Sequence, residues 1–172
     1  SELPADVRIG RPGATVAQDM EPEYVTVSAD NSQAFVTLQE NNAVAVVNLA
    51  TNRIDRIIAM GYKNHGLATN SLAASDKVSA TAPFALKPYA NLFGIYMPDG
   101  IATFSANGTT YIITANEGDD RDDFLATGQK ETQRVGHSSM VLSSSAFPNA
   151  ADLKKDTELG RLTVFSTMGK NS

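Results

Sequence analysis

Between residues 24 and 59, four runs rich in β-branched residues begin about every ten positions, a spacing that constrains the fold more than any other feature of the chain. Tyr24–Ser28 alternates apolar and polar side chains, Ala29–Ser32 supplies turn chemistry, and Gln33–Leu38 alternates again. Glu40–Asn42 forms a second turn before Ala43–Leu49, and Ala50–Asn52 a third before Arg53–Ile58. An apolar period of two excludes a helix over most of this stretch. Strands separated by Asn, Asp, Ser and Thr turns at this interval are the meander pattern of an all-β sandwich, barrel or propeller.

A partial repeat follows. Pro22-Glu23 and Pro98-Asp99 each place a proline and a carboxylate at the start of a strand. Thirteen residues beyond Pro22 stands Phe35, and thirteen beyond Pro98 stands Tyr111. Both returning strands end in an amide beside an acid, Gln39-Glu40 and Asn116-Glu117, which aligns Asn116 with Gln39 and Glu117 with Glu40. The second turn contains Asn107-Gly108, the strongest short hairpin signal. Repeated antiparallel sheets of about 40–45 residues are the units of a β-propeller, which closes with four to eight blades.

The expected fold is therefore all-β: antiparallel four-stranded meander blades of a β-propeller, with long insertions and a short helix. One blade spans 22–59, an excursion 60–96, and a second blade 97–117 plus 160–167, interrupted by an insertion over 118–159. The helix is expected at 150–158, and Val7–Ile9 reads as an opening strand. Two blades with their insertions use up the chain, so this reads as an incomplete segment whose partners are the remaining blades of a longer parent. The first residue is not Met and no charged-then-apolar leader precedes the fold, so the segment is expected to be a mature or excised piece. Open edge strands are templates for pairing, which predicts self-association.

Composition narrows the function. Among 172 residues, 19 acids against 14 bases give a net charge of −5 with no basic stripe, which argues against nucleic acid. Cysteine is absent, so disulfides, thiolate metal sites and cysteine nucleophiles are too. The longest apolar stretch, Ala43–Ala50, falls far short of the roughly 20 residues of a membrane span.

The stretch Ala17–Asp30 together with Ala34–Ala43 resembles the choice-of-anchor I domain family. A second stretch, Tyr96–Ala102 with Tyr111, Thr114–Asp119 and Arg121, resembles it as well. Weaker likeness comes from Gly61–His65, Ser75-Asp76, Glu131 with Arg134-Val135, and Leu159–Leu162. The resemblance implies a bacterial β-propeller that is secreted or surface-associated, hence extracellular, periplasmic or at the cell surface. Members are often labelled alkaline phosphatase-like or likened to a mesenchyme-specific cell-surface glycoprotein. Two functions follow as expectations: a ligand-binding or structural interaction module, or a metal-dependent hydrolase of phosphate esters that this label alone implies.

Candidate site residues come from the repeat. Glu23 and Asp99 precede the innermost strand of each blade, where carboxylates from several blades face a central channel. The expected ligand face is Glu23, Glu40, Asp99, Asn116, Glu117 and Arg121. For a divalent cation such as calcium, which wants six to eight oxygens, the expected set is Glu23, Asp99, Glu117 and Asp119. The same acids could instead cap turns or pair with Lys and Arg, and the 117–123 run could be a solvated loop. Arg121 could neutralise that run internally or offer its guanidinium fork to phosphate or carboxylate. His65 and His137, the only histidines, lack any metal or nucleophile motif around them.

Overall fold

A computed structural model describes residues 3–11 and 13–169. Its regular structure is almost entirely antiparallel β, with two four-residue helices and one turn of 3₁₀ helix at Ala68–Asn70. The chain divides into two compact units, one of residues 1–62 and 95–120, the other of 63–94 and 121–172.

The first unit opens with α1 (Val16–Asp19), whose start is fixed by a reciprocal capping box between Thr15 and Gln18. Four strands follow: β1 (Pro22–Val27), β2 (Gln33–Leu38), β3 (Ala43–Asn48) and β4 (Arg53–Ala59). They lie in sequence order, each antiparallel to the next, so the meander is as the turn spacing predicts. Asn31, Asn42 and Asn52, one per turn, take positive φ near 55°, a conformation asparagine tolerates better than most residues.

β3 is covered on both faces. Ala43 and Ala45 join Val7 and Leu38 on one side, with Met20, Val36, Ile57 and Ala59 packed around them. Val44 and Val46, both fully buried, join Phe35 on the other, beside Ile58 and Met60. This explains a departure from the sequence reading: Val7–Ile9 is not a strand. Its Val7 lies on the sheet face as a lid, and only Arg8 N donates along an edge, to Asn41 O at 2.8 Å.

The second face of the sheet is covered by a long hairpin, β7 (Pro98–Ala106) and β8 (Thr109–Asn116), through Ile101 and Ile112. Both hairpins begin at proline and carry an irregularity just after it: Pro22 pairs with Leu38 and Val25 with Val36, while Pro98 pairs with Asn116 and Ile101 with Thr114. The second hairpin is two residues longer between its paired ends. Its ladder therefore makes Ile113 the counterpart of Phe35, and Glu117 the counterpart of Gln39. The alignment from sequence was one residue out at the acids and two at the aromatic. Tyr111 instead pairs with Phe104 and stacks on it, ring centres 5.2 Å apart.

The other unit is made of the two excursions. Short strands β5 (Tyr62–Asn64) and β6 (Phe93–Ile95), at the ends of the first excursion, pair with each other. In the second, β9 (Thr132–Arg134) pairs with β10 (Thr163–Phe165), so β10 takes β9 as its neighbour where sequence placed it beside β8. The helix α2 covers only Ala150–Leu153, not 150–158. A tight turn follows, with Leu159 N bonding back to Leu153 O at 3.0 Å and Gly160 N to Lys155 O at 2.9 Å. A Cβ at residue 160 would stand 2.7 Å from the Lys155 carbonyl, so this turn admits only glycine. Tyr89, Val135 and Leu159 form a core of their own with Leu72, Leu92, Leu142, Leu153 and Leu162 around it. Ion pairs join the two excursions, Arg161 to Asp76 through two bonds and Lys87 to Glu158 at 2.5 Å.

Candidate functional site

The turn from β2 to β3, residues 39 to 42, is buried although all four side chains are polar: Gln39 and Glu40 are 6% exposed and Asn41 and Asn42 not at all. Buried polar groups must find partners, and in this turn Glu40 Oε2 is the one described buried side-chain atom without one. Asn41 Nδ2 donates to Arg8 O (2.9 Å), Asp19 O (3.0 Å) and Asp19 Oδ2 (3.1 Å), while its Oδ1 accepts from Glu21 N at 3.2 Å. Asn42 Nδ2 donates to Gly61 O at 2.8 Å, and its Oδ1 accepts from Tyr96 N and Met97 N, both at 3.1 Å. Gln39 Nε2 donates to Glu117 O at 2.9 Å.

Two successive asparagines thus fix the backbone just before β1 and just before β7. That is how two strand starts 76 positions apart in sequence are moored to one turn. The buried Asp19 completes the mooring by accepting from Gly10 N (3.1 Å) and Arg11 N (2.7 Å).

Glu40 is the exception in this turn. Its backbone carbonyl accepts from the Arg8 guanidinium at 2.9 Å, but its Oε2 is buried and accepts no hydrogen bond. Burial raises its carboxyl above the ordinary carboxylate range; a hydrogen bond from its own backbone amide opposes this, and the negative charges of Glu21, Glu23 and Asp119 add to it.

The remaining sequence candidates are distributed as follows. Glu23, Asn116, Glu117 and Asp119 are exposed and Asp99 is half-buried. Asn116 Oδ1 accepts from Thr114 Oγ1 at 2.9 Å, and Asp119 Oδ1 from Asp120 N at 2.7 Å. Among the described residues no group of three or more Asp, Glu or His side chains is placed to hold a metal ion.

Arg121 offers no open fork. It belongs to the other unit, is 3% exposed, and binds Glu131 through Nε (3.4 Å), Nη2 (3.2 Å) and its backbone N (3.1 Å). Glu131, 1% exposed, is the residue the sequence reading passed over as a partner. An arginine inside an acidic run pointed to internal neutralisation, but ten residues of irregular chain hid which acid supplies it. Asp122 accepts from Glu131 N and Thr132 Oγ1, both at 2.6 Å. Desolvation raises its carboxyl, but these bonds outweigh it and hold the group below the ordinary range. His65 Nδ1 donates to Asn70 O at 2.7 Å, and His137 Nδ1 bonds Ser139.

Fold and site together define an antiparallel all-β module with an acidic turn moored between two strand starts. The chain belongs to the choice-of-anchor I domain family, whose model matches residues 2–172. Comparison with curated proteins and with solved structures gave no match. Membership in a choice-of-anchor family is consistent with a surface-associated module, and among the described residues no helix is long and apolar enough to cross a membrane.

Proposed function

We propose that this chain is a segment of a secreted or cell-surface β-propeller that acts as a binding or structural module, with the strand-start acids as its ligand face. The observation that carries the reading is the direction of packing in the first unit. Matching the ladders makes Ile112 the counterpart of Ala34, on the face of the first sheet that also bears Val36, Leu38 and Ala45. Yet Ile112 packs against the opposite face of that sheet, the one with Phe35, Val44 and Val46. Like hairpins therefore stack head to tail, which is the relation that turns repeated sheets into a ring.

Head-to-tail stacking leaves a next face. Ala102, Phe104, Tyr111 and Ile113 share the outer side of β7–β8, and the last three are 51%, 46% and 60% exposed. Among the described strands, β8 pairs only with β7. Further blades of a parent chain, or a second copy of this one, would cover that face and that edge.

The ligand face would comprise Glu23, Asp99, Asn116, Glu117 and Asp119, with Glu40 beneath them. Two measurements test this. Electron-microscopy images of the purified parent protein are expected to show a ring around an axial channel; an open or globular particle would remove the propeller. Thermal melts with calcium chloride, on the wild type and on Glu23→Gln with Asp99→Asn, test the cation. A calcium-dependent rise in Tm lost in the double variant makes calcium the ligand, and no rise leaves the face to other polar ligands.

A further inference from the structure

The unit built from the two excursions holds a cleft of about 480 Å³, inside the range of roughly 300–1,000 Å³ usual for small-molecule sites. Pro88, Phe147 and Leu153 give it apolar walls, and Lys87, Asn149 and Glu158 add polar groups. Two of these polar groups are held in place from below. Glu158 accepts from Lys87 Nζ on one carboxylate oxygen and from Tyr89 Oη, at 3.1 Å, on the other. The Lys87 ammonium also lies 5.9 Å from the centre of the Tyr89 ring, which is buried in one core with Val135 and Leu159. The side chains of Lys87 and Glu158 remain 41% and 27% exposed, so a ligand in the cleft reaches both. An ammonium has three donors and a carboxylate about four lone-pair sites. The bonds among the described residues therefore leave donors on Lys87 and acceptor sites on Glu158 unused. Asn149 stands at the start of α2, yet its side chain makes no capping bond, so its amide is uncommitted as well.

We propose that this cleft binds a neutral sugar residue, with Lys87, Glu158 and Asn149 meeting its hydroxyls and Pro88 and Phe147 its C–H face. Charge narrows the class first. The charged side chains that line the cleft are all paired, Lys87 with Glu158 and Asp152 with Lys155, so a charged ligand finds no open counter-charge there. Hydrogen bonding narrows it next. Donors and acceptors stand side by side on the ion pair, and a hydroxyl is both, so neighbouring hydroxyls of one ring accept from Lys87 and donate to Glu158. A wholly apolar ligand would strip water from these groups without replacing its hydrogen bonds. The apolar walls, in turn, favour a ring with a C–H face over a small polyol such as glycerol. The site lies apart from the strand-start acids, so it goes beyond the ligand face proposed above and does not rest on it.

Saturation-transfer NMR on the full chain tests this with the methyl glycosides of glucose, galactose, mannose and N-acetylglucosamine, and with glycerol. At least one glycoside is expected to receive saturation on its ring protons, and glycerol none. Lys87→Met is expected to weaken binding at least about tenfold, the loss of a charge-assisted hydrogen bond, and Asn149→Ala to weaken it less. Melting curves establish that each variant is folded. Asn149 is exposed, so its variant probes the cleft even if loss of the Lys87–Glu158 pair unfolds the unit. Added salt is expected to change binding little, because the ligand is uncharged. No transfer to any of the four glycosides would overturn the proposal. Equal binding by wild type and both variants, equal transfer to glycerol, or binding that falls steeply with salt would each overturn it too. Loss of binding in Glu23→Gln with Asp99→Asn but not in the cleft variants would place the sugar at the strand starts, so the cleft would fall and that face would stand.

Discussion

Asn42 makes three hydrogen bonds from a side chain with no solvent exposure, and they reach Gly61, Tyr96 and Met97. Alanine there would leave the part-buried Gly61 carbonyl and Tyr96 amide and the buried Met97 amide without these partners. We expect Asn42→Ala to cost about 3 kcal/mol, read as a lower urea midpoint at unchanged m-value. Glu40 has the opposite sense. Burial and its acidic neighbours raise its carboxyl, so the folded protein holds that proton more tightly than the unfolded chain does. The group therefore favours folding in acid, and that contribution is lost as pH rises from the ordinary carboxylate range through the raised value. Glu40→Gln is expected to raise Tm at about pH 8, with the gain shrinking towards about pH 4. A variant that melts lower than wild type at the alkaline end would show that Glu40 is already satisfied.

At the scale of elements, the meander was the most legible part, because both its signals are local. Alternation selects strands and polar turns separate them, and β1 to β4 follow to within about two residues. The second hairpin was legible for the same reason. Asn107 and Gly108 both take positive φ, 50° and 75°, the geometry of a two-residue turn that matches strand twist. Gly108→Ala is expected to cost about 1–2 kcal/mol by forcing a Cβ into the left-handed region. Thermal melting checks this, and an unchanged Tm would mean that the turn relaxes freely. The misread elements depend on distant partners. Val7–Ile9 alternates like a strand but covers a sheet face, and the stretch after Leu153 has helical residues but turns back onto that short helix. Register was misjudged because residues within a hairpin turn are not seen by alternation, and the longer turn-side ends of β7 and β8 shifted the counterparts of Phe35 and Glu40.

For the whole molecule, the exposed side of β7–β8 is the feature with consequences. Phe104, Tyr111 and Ile113 form an apolar surface beside a strand edge that carries no further described strand. We expect this chain to self-associate through that surface, and Ile113→Lys to shift sedimentation towards monomer without loss of Tm. A wild-type chain that stays monomeric at high concentration would oppose this. The two excursions also belong to this scale. Each is poor in periodic signal, yet residues 63–94 and 121–169 come together as a compact unit, joined by Arg161–Asp76, Lys87–Glu158 and the bond from Ser75 Oγ to Asp156 O. Within it Tyr89 donates to Glu158, and burial, then that carboxylate, pushes its phenol up to about 12.

The sequence by itself determined the β class, the order of the meander, the Asn-Gly turn and the family, because each is written in neighbouring residues. It also singled out Glu23, Glu40, Asp99 and Glu117 as acids at strand ends. Only the tertiary structure decided that Asn41 and Asn42 moor both strand starts, that Arg121 is held by Glu131, and that two separate excursions share one core. Those outcomes join residues tens of positions apart, and the hydrogen bonds and packing that select among such pairings exist only once the chain has closed on itself.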